Sequence, residues 1–239
     1  MFDLTSRDYA TMILDSGTLI LILGIISTSF RHREKGRPDE DSFLVLLVMN
    51  IFMAVGDTIG YLCEGKTFLY IRQLSTLGMT IFYLSFVTVS MAWLHYCRIR
   101  FSNRTLRDRS HFAYEYLPGV IMTALVVINA FTGWIFSYDE NASYHRGVLF
   151  IPMYIIVTFY VIAGFITLSR YRDKSSGKVL IPVWVYSIPM VWGVIFTFLI
   201  PNSASFAPIG VAMSFTFTHM GTINEVSESY YSQIRRLFP

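Results

Sequence analysis

The fold is decided by a stretch of 23 residues at positions 43–65, FLVLLVMNIFMAVGDTIGYLCEG. An α-helix rises about 1.5 Å per residue, so about 20 apolar residues cross the roughly 30 Å hydrocarbon core of a bilayer. The apolar run is continuous, whereas a strand of a membrane barrel alternates in hydrophobicity over about ten residues. The stretch therefore predicts a membrane-spanning helix, whose backbone groups are hydrogen-bonded within the helix itself.

Six further stretches have the same character, at residues 9–30, 69–97, 117–138, 150–171, 179–200 and 207–226. We therefore predict an all-α integral membrane protein, a bundle of seven transmembrane helices. Of the 239 residues, 54% are hydrophobic and 15% charged, which excludes a soluble single-domain enzyme and a disordered chain. The net charge is only +3, and the basic residues lie in short clusters between apolar runs. This distribution argues against a nucleic-acid partner.

Lys and Arg are divided unequally between the two sides of the predicted bundle. Fifteen lie in the loops after the first, third and fifth segments and in the C-terminal tail, and four lie on the other side. Because basic loops stay in the cytoplasm, we predict an outside N-terminus and a cytoplasmic C-terminus in the plasma membrane. Residues 1–226 are then the transmembrane domain. Residues 227–239 are a cytoplasmic tail, either an anchor on anionic headgroups or the start of a signalling helix.

The second segment has a polar face. Its members are spaced seven, four and three residues apart and share one side of a helix: Asn50, Asp57, Tyr61 and Glu64. Gly56 and Gly60 form a small-xxx-small pair, which permits close approach of a neighbouring helix. Arg72 follows after a short connection, where it is placed to pair with Asp57 or Glu64. Two interpretations stand: a buried ion pair that orders packing, or a polar ligand site in the outer half.

We predict a ligand site of seven residues in and above an outer cavity: Asp57, Arg72, Asn129, Trp134, His145, Arg146 and Tyr154. His145 and Arg146 belong to the polar loop 139–147, which is compact enough to act as a lid. The alternative for the loop is a solvated turn with a local pair between Arg146 and Asp139. The alternative for the aromatic residues is packing or an interfacial belt.

Other chemistries find no support in the residues. No Lys lies inside a predicted span, so a retinal Schiff base is excluded. His95 and His219 lack the third ligand that catalytic zinc requires. Cys63 and Cys97 fall at opposite faces of the bilayer, beyond disulfide reach. We therefore predict no catalytic residues, no metal and no cofactor.

Four stretches carry a resemblance to a known family. They are residues 43–65, quoted above; LSTLGMTIFYLSFVTVSMAWLHYCR at 74–98; INAFTGWIFSYDENASYHRGVLFIPMYIIVTFYVI at 128–162; and IPNSASFAPIGVAMSF at 200–215. With these stretches the chain resembles the seven-helix N-terminal sensory region of bacterial diguanylate cyclases (GGDEF proteins) and of some histidine kinases. The third stretch is the most specific. The resemblance implies an input module that passes a signal inward to a cytoplasmic output domain.

The resulting hypothesis is a membrane sensor with two packing states, in which a small ligand favours one state and the seventh helix moves. The chain carries no GGDEF sequence, phosphoacceptor histidine box or ATP-binding motif, so we predict a non-enzymatic module. Its expected partners are the bilayer, an unidentified small molecule, an attached or separate output domain, and a second copy in a homodimer. The alternatives are a small proton-coupled transporter, in which Asp57 cycles a proton and Pro189 kinks the gating helix, or a scaffold.

Overall fold

The computed structural model describes residues 4–32, 38–66, 69–102, 109–172, 183–199 and 205–237. They form seven helices: α1 (Ser6–His32), α2 (Pro38–Cys63), α3 (Ile71–Ser102), α4 (Arg109–Thr132), α5 (Phe150–Arg172), α6 (Val183–Leu199) and α7 (Ala207–Leu237). Two short strands, β1 (Phe136–Tyr138) and β2 (Tyr144–Arg146), lie between α4 and α5. The predicted all-α bundle is confirmed, with a small hairpin added to it.

Successive helices run in opposite directions, so the bundle has two ends. We call the end that carries β1 and β2 the hairpin end, and the other the basic end. Five of the described helices are long and apolar enough to cross a membrane, namely α1 to α5. The described part of α6 contains a shorter apolar stretch, Ile188–Leu199. The backbone of α7 is helical through residue 226, where the sequence predicted the boundary between membrane domain and tail.

Helix α3 is the centre of the bundle, because it packs against α2, α4, α5 and β1. Its buried side chains include Phe82, Val87 and Trp93, and facing residues such as Met53 and Met153 are fully buried. The remaining contacts of α1 with α2 and α7, and of α6 with α5 and α7, close the bundle. Dispersion contacts between such close-packed side chains hold helices together where lipid is as apolar as the core.

The closest helix contacts are made through glycines. A Cβ built on Gly56 would lie 2.5 Å from the backbone nitrogen of Phe82, and one on Gly78 would lie 2.7 Å from that of Gly60. The small-residue pair of the second segment therefore packs closely against a neighbouring helix, as predicted. That helix is α3, which contributes a third glycine to the contact. Gly193 of α6 and Gly210 of α7 form a second contact of the same kind.

The predicted end of the fourth segment at residue 138 is wrong. Helix α4 ends at Thr132, because Gly133 adopts a positive φ of 66° and donates a hydrogen bond to the Asn129 carbonyl at 2.9 Å. A glycine in this conformation terminates a helix at little conformational cost. The apolar residues that follow are part of β1 instead of the helix. Residues 139–143 connect the two strands, with Tyr138 opposite Tyr144.

Ion pairs between described residues join helices at the basic end. Arg100 donates to the Asp39 carboxylate at 2.7 Å and ties α3 to the start of α2. Arg98 pairs with Glu115 and ties α3 to α4. These three helices are therefore held both by core packing and by charge at this end.

Candidate ligand site under the hairpin

The hairpin is anchored by the side chain of Asn129. Its Oδ1 accepts hydrogen bonds from the backbone N–H groups of Ile135 (2.6 Å) and Phe136 (3.3 Å), and its Nδ2 donates to the Phe136 carbonyl (2.9 Å). At the other end of the hairpin, the Gly147 N–H donates to the Ile135 carbonyl at 2.7 Å. A Cβ on Gly147 would clash with the backbone of Trp134. The hairpin is thus bound to the end of α4, and its two ends are joined to each other just before α5 begins.

The hairpin also docks onto the end of α2. The Gly65 N–H donates to the Ala142 carbonyl at 3.1 Å, and the Tyr144 N–H donates to the Glu64 carboxylate at 3.3 Å. The hydroxyls of Tyr83 and Tyr144 share a hydrogen bond of 2.6 Å, which joins the hairpin to α3. Three hydrogen bonds therefore close the hairpin over the bundle.

A small cavity lies beneath the hairpin, between α2, α3, α5 and α6. Five of its eleven lining residues are tyrosines: Tyr61, Tyr83, Tyr138, Tyr144 and Tyr154. Its volume is about 20 Å³, which is room for about one ordered water. We call it the tyrosine cavity. Because sites for drug-sized ligands occupy about 300–1,000 Å³, the cavity is too small for such a ligand in this conformation.

Charged groups surround the tyrosine cavity. The Arg7 guanidinium pairs with the Glu64 carboxylate at 2.8 Å and lies 4.2 Å from the centre of the Tyr61 ring. The Arg146 guanidinium lies 4.6 Å from the centre of the Phe150 ring. The two charged lining residues are therefore Glu64, which is ion-paired, and Arg146, which lies on an aromatic face.

Titratable groups of the hairpin are perturbed in opposite directions. Backbone N–H groups of Ser143 (2.8 Å) and Asn141 (2.9 Å) donate to the Asp139 carboxylate and hold its pKa below the ordinary value. Burial raises the pKa of Tyr144 to about 12 and raises that of Tyr138 further. Below these values both phenols are neutral and keep their hydroxyl protons for hydrogen bonding.

The structure separates the residues predicted for the ligand site. Arg146 and Tyr154 line the tyrosine cavity. The amide of Asn129 is used by the hairpin backbone, and Trp134 is half exposed on the outside of the hairpin. His145 is exposed, with its Nε2 3.4 Å from the Asp139 carboxylate. Asp139 therefore interacts with His145 in the loop. The alternative interpretation of the sequence had paired Asp139 with Arg146.

The expected pairing of Arg72 is wrong. Arg72 is exposed at the start of α3, and the Glu64 carboxylate is bound by Arg7 of α1 instead. Asp57 is fully buried, and neither of its oxygens has a hydrogen-bond partner among the described residues. The sequence placed Asp57 within the second helix, but Glu64 lies in the turn that follows α2, and α1 supplies its cation.

Sequence reasoning missed the polar face of α1. Four buried polar residues recur at intervals of three, four and three: Asp8, Thr11, Asp15 and Thr18. Asp15 accepts a hydrogen bond of 2.6 Å from the Thr58 hydroxyl of α2 and lies near enough to Asp57 to repel it. We call Thr11, Asp15, Asp57 and Thr58 the polar seam. The helical spacing of the polar residues in the first segment is the signal from which this polar face could have been predicted.

One hydrogen bond connects the tyrosine cavity to α7. Thr197 of α6 lines the cavity, and its Oγ1 accepts from the backbone N–H of Phe206 at 2.9 Å, one residue before α7 begins. The side chain of Asn50 donates to the carbonyl of Pro208 at 3.3 Å. The start of α7 is therefore held by α2 and by a residue that lines the cavity.

Comparison with known proteins identifies the family. The model of the family described as the N-terminal 7TM region of histidine kinase matches residues 13–225. Because this match covers most of the chain, the chain belongs to that family, and it is a membrane sensory input region of a multi-pass plasma membrane protein. The resemblance seen in the sequence is thereby confirmed for histidine kinases. No curated protein and no solved structure matches the chain.

Proposed function

We propose that this sensory region binds a small ligand in the tyrosine cavity and signals through α7. In this proposal the hairpin end faces the outside, and the basic end faces the cytoplasm, as the distribution of Lys and Arg indicates. The output partner is a cytoplasmic domain of the histidine kinase type, attached to the chain or separate from it. Ligand binding shifts the population between a closed and an open hairpin.

The observation that carries the proposal is the closed cavity under a docked hairpin. A cavity of about 20 Å³ admits no organic ligand, so binding requires the hairpin to move away from α2 and α3. The hairpin is held there by packing of the buried Phe136 ring against Tyr83 of α3 and by three hydrogen bonds. Each contributes about 1 kcal/mol, so a ligand that replaces them can favour the open state.

The lining of the cavity favours a ligand with a ring and an anionic group. Tyrosine rings supply flat apolar surface, and their hydroxyls supply hydrogen bonds. Glu64 is already ion-paired with Arg7, whereas Arg146 lies on the Phe150 ring and can turn its guanidinium to a carboxylate or phosphate. The combination suits a small aromatic acid or a similar compound.

The transporter alternative is less well supported. The tyrosine cavity is bordered on its inner side by the ring of Phe86, which lies 5.3 Å from the ring of Tyr154 and 5.8 Å from that of Phe82. A cavity closed on its inner side suits sensing better than passage of a substrate. Proton-coupled uptake into vesicles that contain this chain alone would support transport instead.

Hydrogen exchange measured by mass spectrometry on the chain in lipid nanodiscs tests the coupling. Glu64→Gln weakens the ion pair with Arg7 and the contact with Tyr144, so we expect several-fold faster exchange in residues 136–146. We expect faster exchange also at Phe206, because the cavity and the start of α7 share Thr197. In a Thr197→Val background the Phe206 amide has lost its acceptor and should already exchange fast. Adding Glu64→Gln should then speed exchange in the hairpin with no further change at Phe206.

Thr167→Val is the matched control. Its hydroxyl donates to the Ala163 carbonyl within α5 at 2.8 Å, just as the Thr197 hydroxyl donates to the Gly193 carbonyl within α6. In the described part of the chain, the Thr167 hydroxyl makes no hydrogen bond to another helix. Thr167→Val should leave the effect at Phe206 intact. Unchanged hydrogen exchange at Phe206 in Glu64→Gln would contradict the coupling.

The orientation of the bundle is tested by labelling Asn141→Cys in intact cells with an impermeant maleimide. Labelling should succeed, and its failure would contradict the orientation.

A further inference from the structure

The polar seam contains more acceptor oxygens than the described residues satisfy. Asp57 is fully buried and Asp15 is 2% exposed. Both oxygens of Asp57, one of Asp15 and the hydroxyl of Thr11 have no hydrogen-bond partner in the described part of the chain. Buried polar groups are paired in more than about nine cases in ten. Four such oxygens at one helix interface therefore need an explanation.

The charge of the seam points to a positively charged occupant. Asp15 accepts a hydrogen bond from Thr58, the residue next to Asp57, so the two carboxyl groups meet at one place in the interface. The nearby Arg7 guanidinium is bound to Glu64 and lies on the Tyr61 ring. Among the described residues the two aspartates therefore have no cation of their own. A carboxyl group in a membrane interior is either protonated or compensated by a cation.

The geometry favours a metal ion over direct hydrogen bonds among these side chains. Thr11 lies one turn from Asp15 on the same face of α1, yet its hydroxyl donates to neither carboxylate. These buried oxygens are not bonded to one another, which leaves them available as ligands of an ion. Carboxylate and hydroxyl oxygens suit hard cations. Ca²⁺ takes six to eight oxygens and Mg²⁺ keeps several waters, so four oxygens in a packed interface suit a monovalent ion.

We propose that the polar seam binds a dehydrated monovalent cation of the size of Na⁺ between Asp57, Asp15 and Thr11. The ion joins α1 to α2 beneath the Arg7–Glu64 pair. Since α1 also packs on α7, with Ile209 against Gly17, the ion stabilises the packed form of the bundle. This site is separate from the tyrosine cavity, and it stands or falls independently of the sensory proposal.

Thermal unfolding of the full chain in lipid nanodiscs tests the site. Melting curves are compared in NaCl, KCl and choline chloride at equal ionic strength. We expect Tm to rise with NaCl in a saturable way, by about 3–6 °C at ten times the dissociation constant, and to rise less or not at all with KCl or choline chloride. Equal Tm values in NaCl and choline chloride would overturn the proposal, as would a shift produced by Ca²⁺ in place of Na⁺.

Three variants make the test specific. Asp57→Asn should abolish the Na⁺-dependent increase in Tm, and an increase that persists in this variant would overturn the site. Thr11→Val removes one ligand oxygen without changing charge, and should raise the Na⁺ concentration at half-effect several-fold. It provides the test if Asp57→Asn does not fold. Asp139→Asn is the matched control, because Asp139 lies in the hairpin, and it should keep the full increase.

Discussion

The tyrosine cavity and the polar seam share α2, yet their polar groups are satisfied in opposite ways. At the cavity, Glu64 is bonded to Arg7 and to the hairpin backbone. In the seam, Asp57 has no hydrogen-bond partner among the described residues, although it lies only seven positions before Glu64, which directly follows α2. Hydrogen bonds to a short hairpin can be exchanged for those of a ligand. Two continuous helices cannot rearrange locally to satisfy a carboxylate.

The comparison therefore separates two kinds of buried polar group. The polar groups at the cavity are satisfied by the protein and become available when the hairpin moves. The carboxylates of the seam depend on something outside the described protein atoms, which is why we assign them an ion. Three predictions test this distinction and the helix contact that supports both regions.

The largest effect is expected where α2 and α3 support both regions together. Gly78→Ala would place a Cβ 2.7 Å from the backbone nitrogen of Gly60, and backbone atoms cannot move aside as a side chain can. We expect a loss of about 2–3 kcal/mol or more, seen as a fall in Tm of at least about 5 °C in nanodiscs. Gly24→Ala is the control, because a Cβ there meets nothing within 4 Å. Equal Tm values for the two variants would contradict the packing.

An intermediate effect is expected when one carboxylate in each region is replaced by its amide. In choline chloride, without a small cation, Asp57→Asn should raise Tm because it removes an uncompensated buried charge. Glu64→Gln should lower Tm, by an amount that corresponds to about 1–2 kcal/mol, because it leaves the Arg7 charge unpaired. The two shifts are measured on the same nanodisc preparation. Tm shifts of the same sign in the two variants would contradict the distinction between the tyrosine cavity and the polar seam.

The smallest effect is the pH dependence of the hairpin. The pKa of Asp139 is lowered below its ordinary value of 3.8 by the backbone N–H groups of Ser143 and Asn141. The ionised Asp139 carboxylate therefore stabilises the hairpin fully above pH 3.8. This stabilisation is lost as the pH falls through the lowered pKa of Asp139 in the folded protein. Relative to the intrinsic rate at each pH, exchange at Ser143 and Asn141 should accelerate in that acidic range. Asp139→Asn should remove this acceleration, and its persistence in the variant would contradict the assignment.

Much of the architecture could be predicted from residue periodicity. Seven apolar segments of sufficient length specify seven helices, and the spacing of Asn50, Asp57, Tyr61 and Glu64 specifies one face of α2. The glycine pair in that segment predicted a close helix contact, which α3 provides. Prediction was weakest at the end of α4, since apolar residues of a short strand look the same as the last turn of an apolar helix.

The candidate site was predictable only in part. Tyr154 and Arg146 were selected for their position in the outer half, and they do line the cavity. Asn129 was selected for its polarity inside a span, but its amide is used by the hairpin backbone. A polar residue in a membrane segment shows that a polar partner exists. It does not show whether that partner is a ligand, an ion or the backbone of the same protein.

The amino-acid sequence alone specifies the class of this protein, because the bilayer demands long apolar helices. The distribution of Lys and Arg predicts how they are oriented. The sequence also specifies which residues share a helix face. The partners across helices come from the tertiary structure: Arg7 for Glu64, Thr58 for Asp15 and Thr197 for Phe206. These pairs join residues from 9 to 57 positions apart. Their geometry depends on how the helices rotate and tilt against one another, which helical periodicity does not contain.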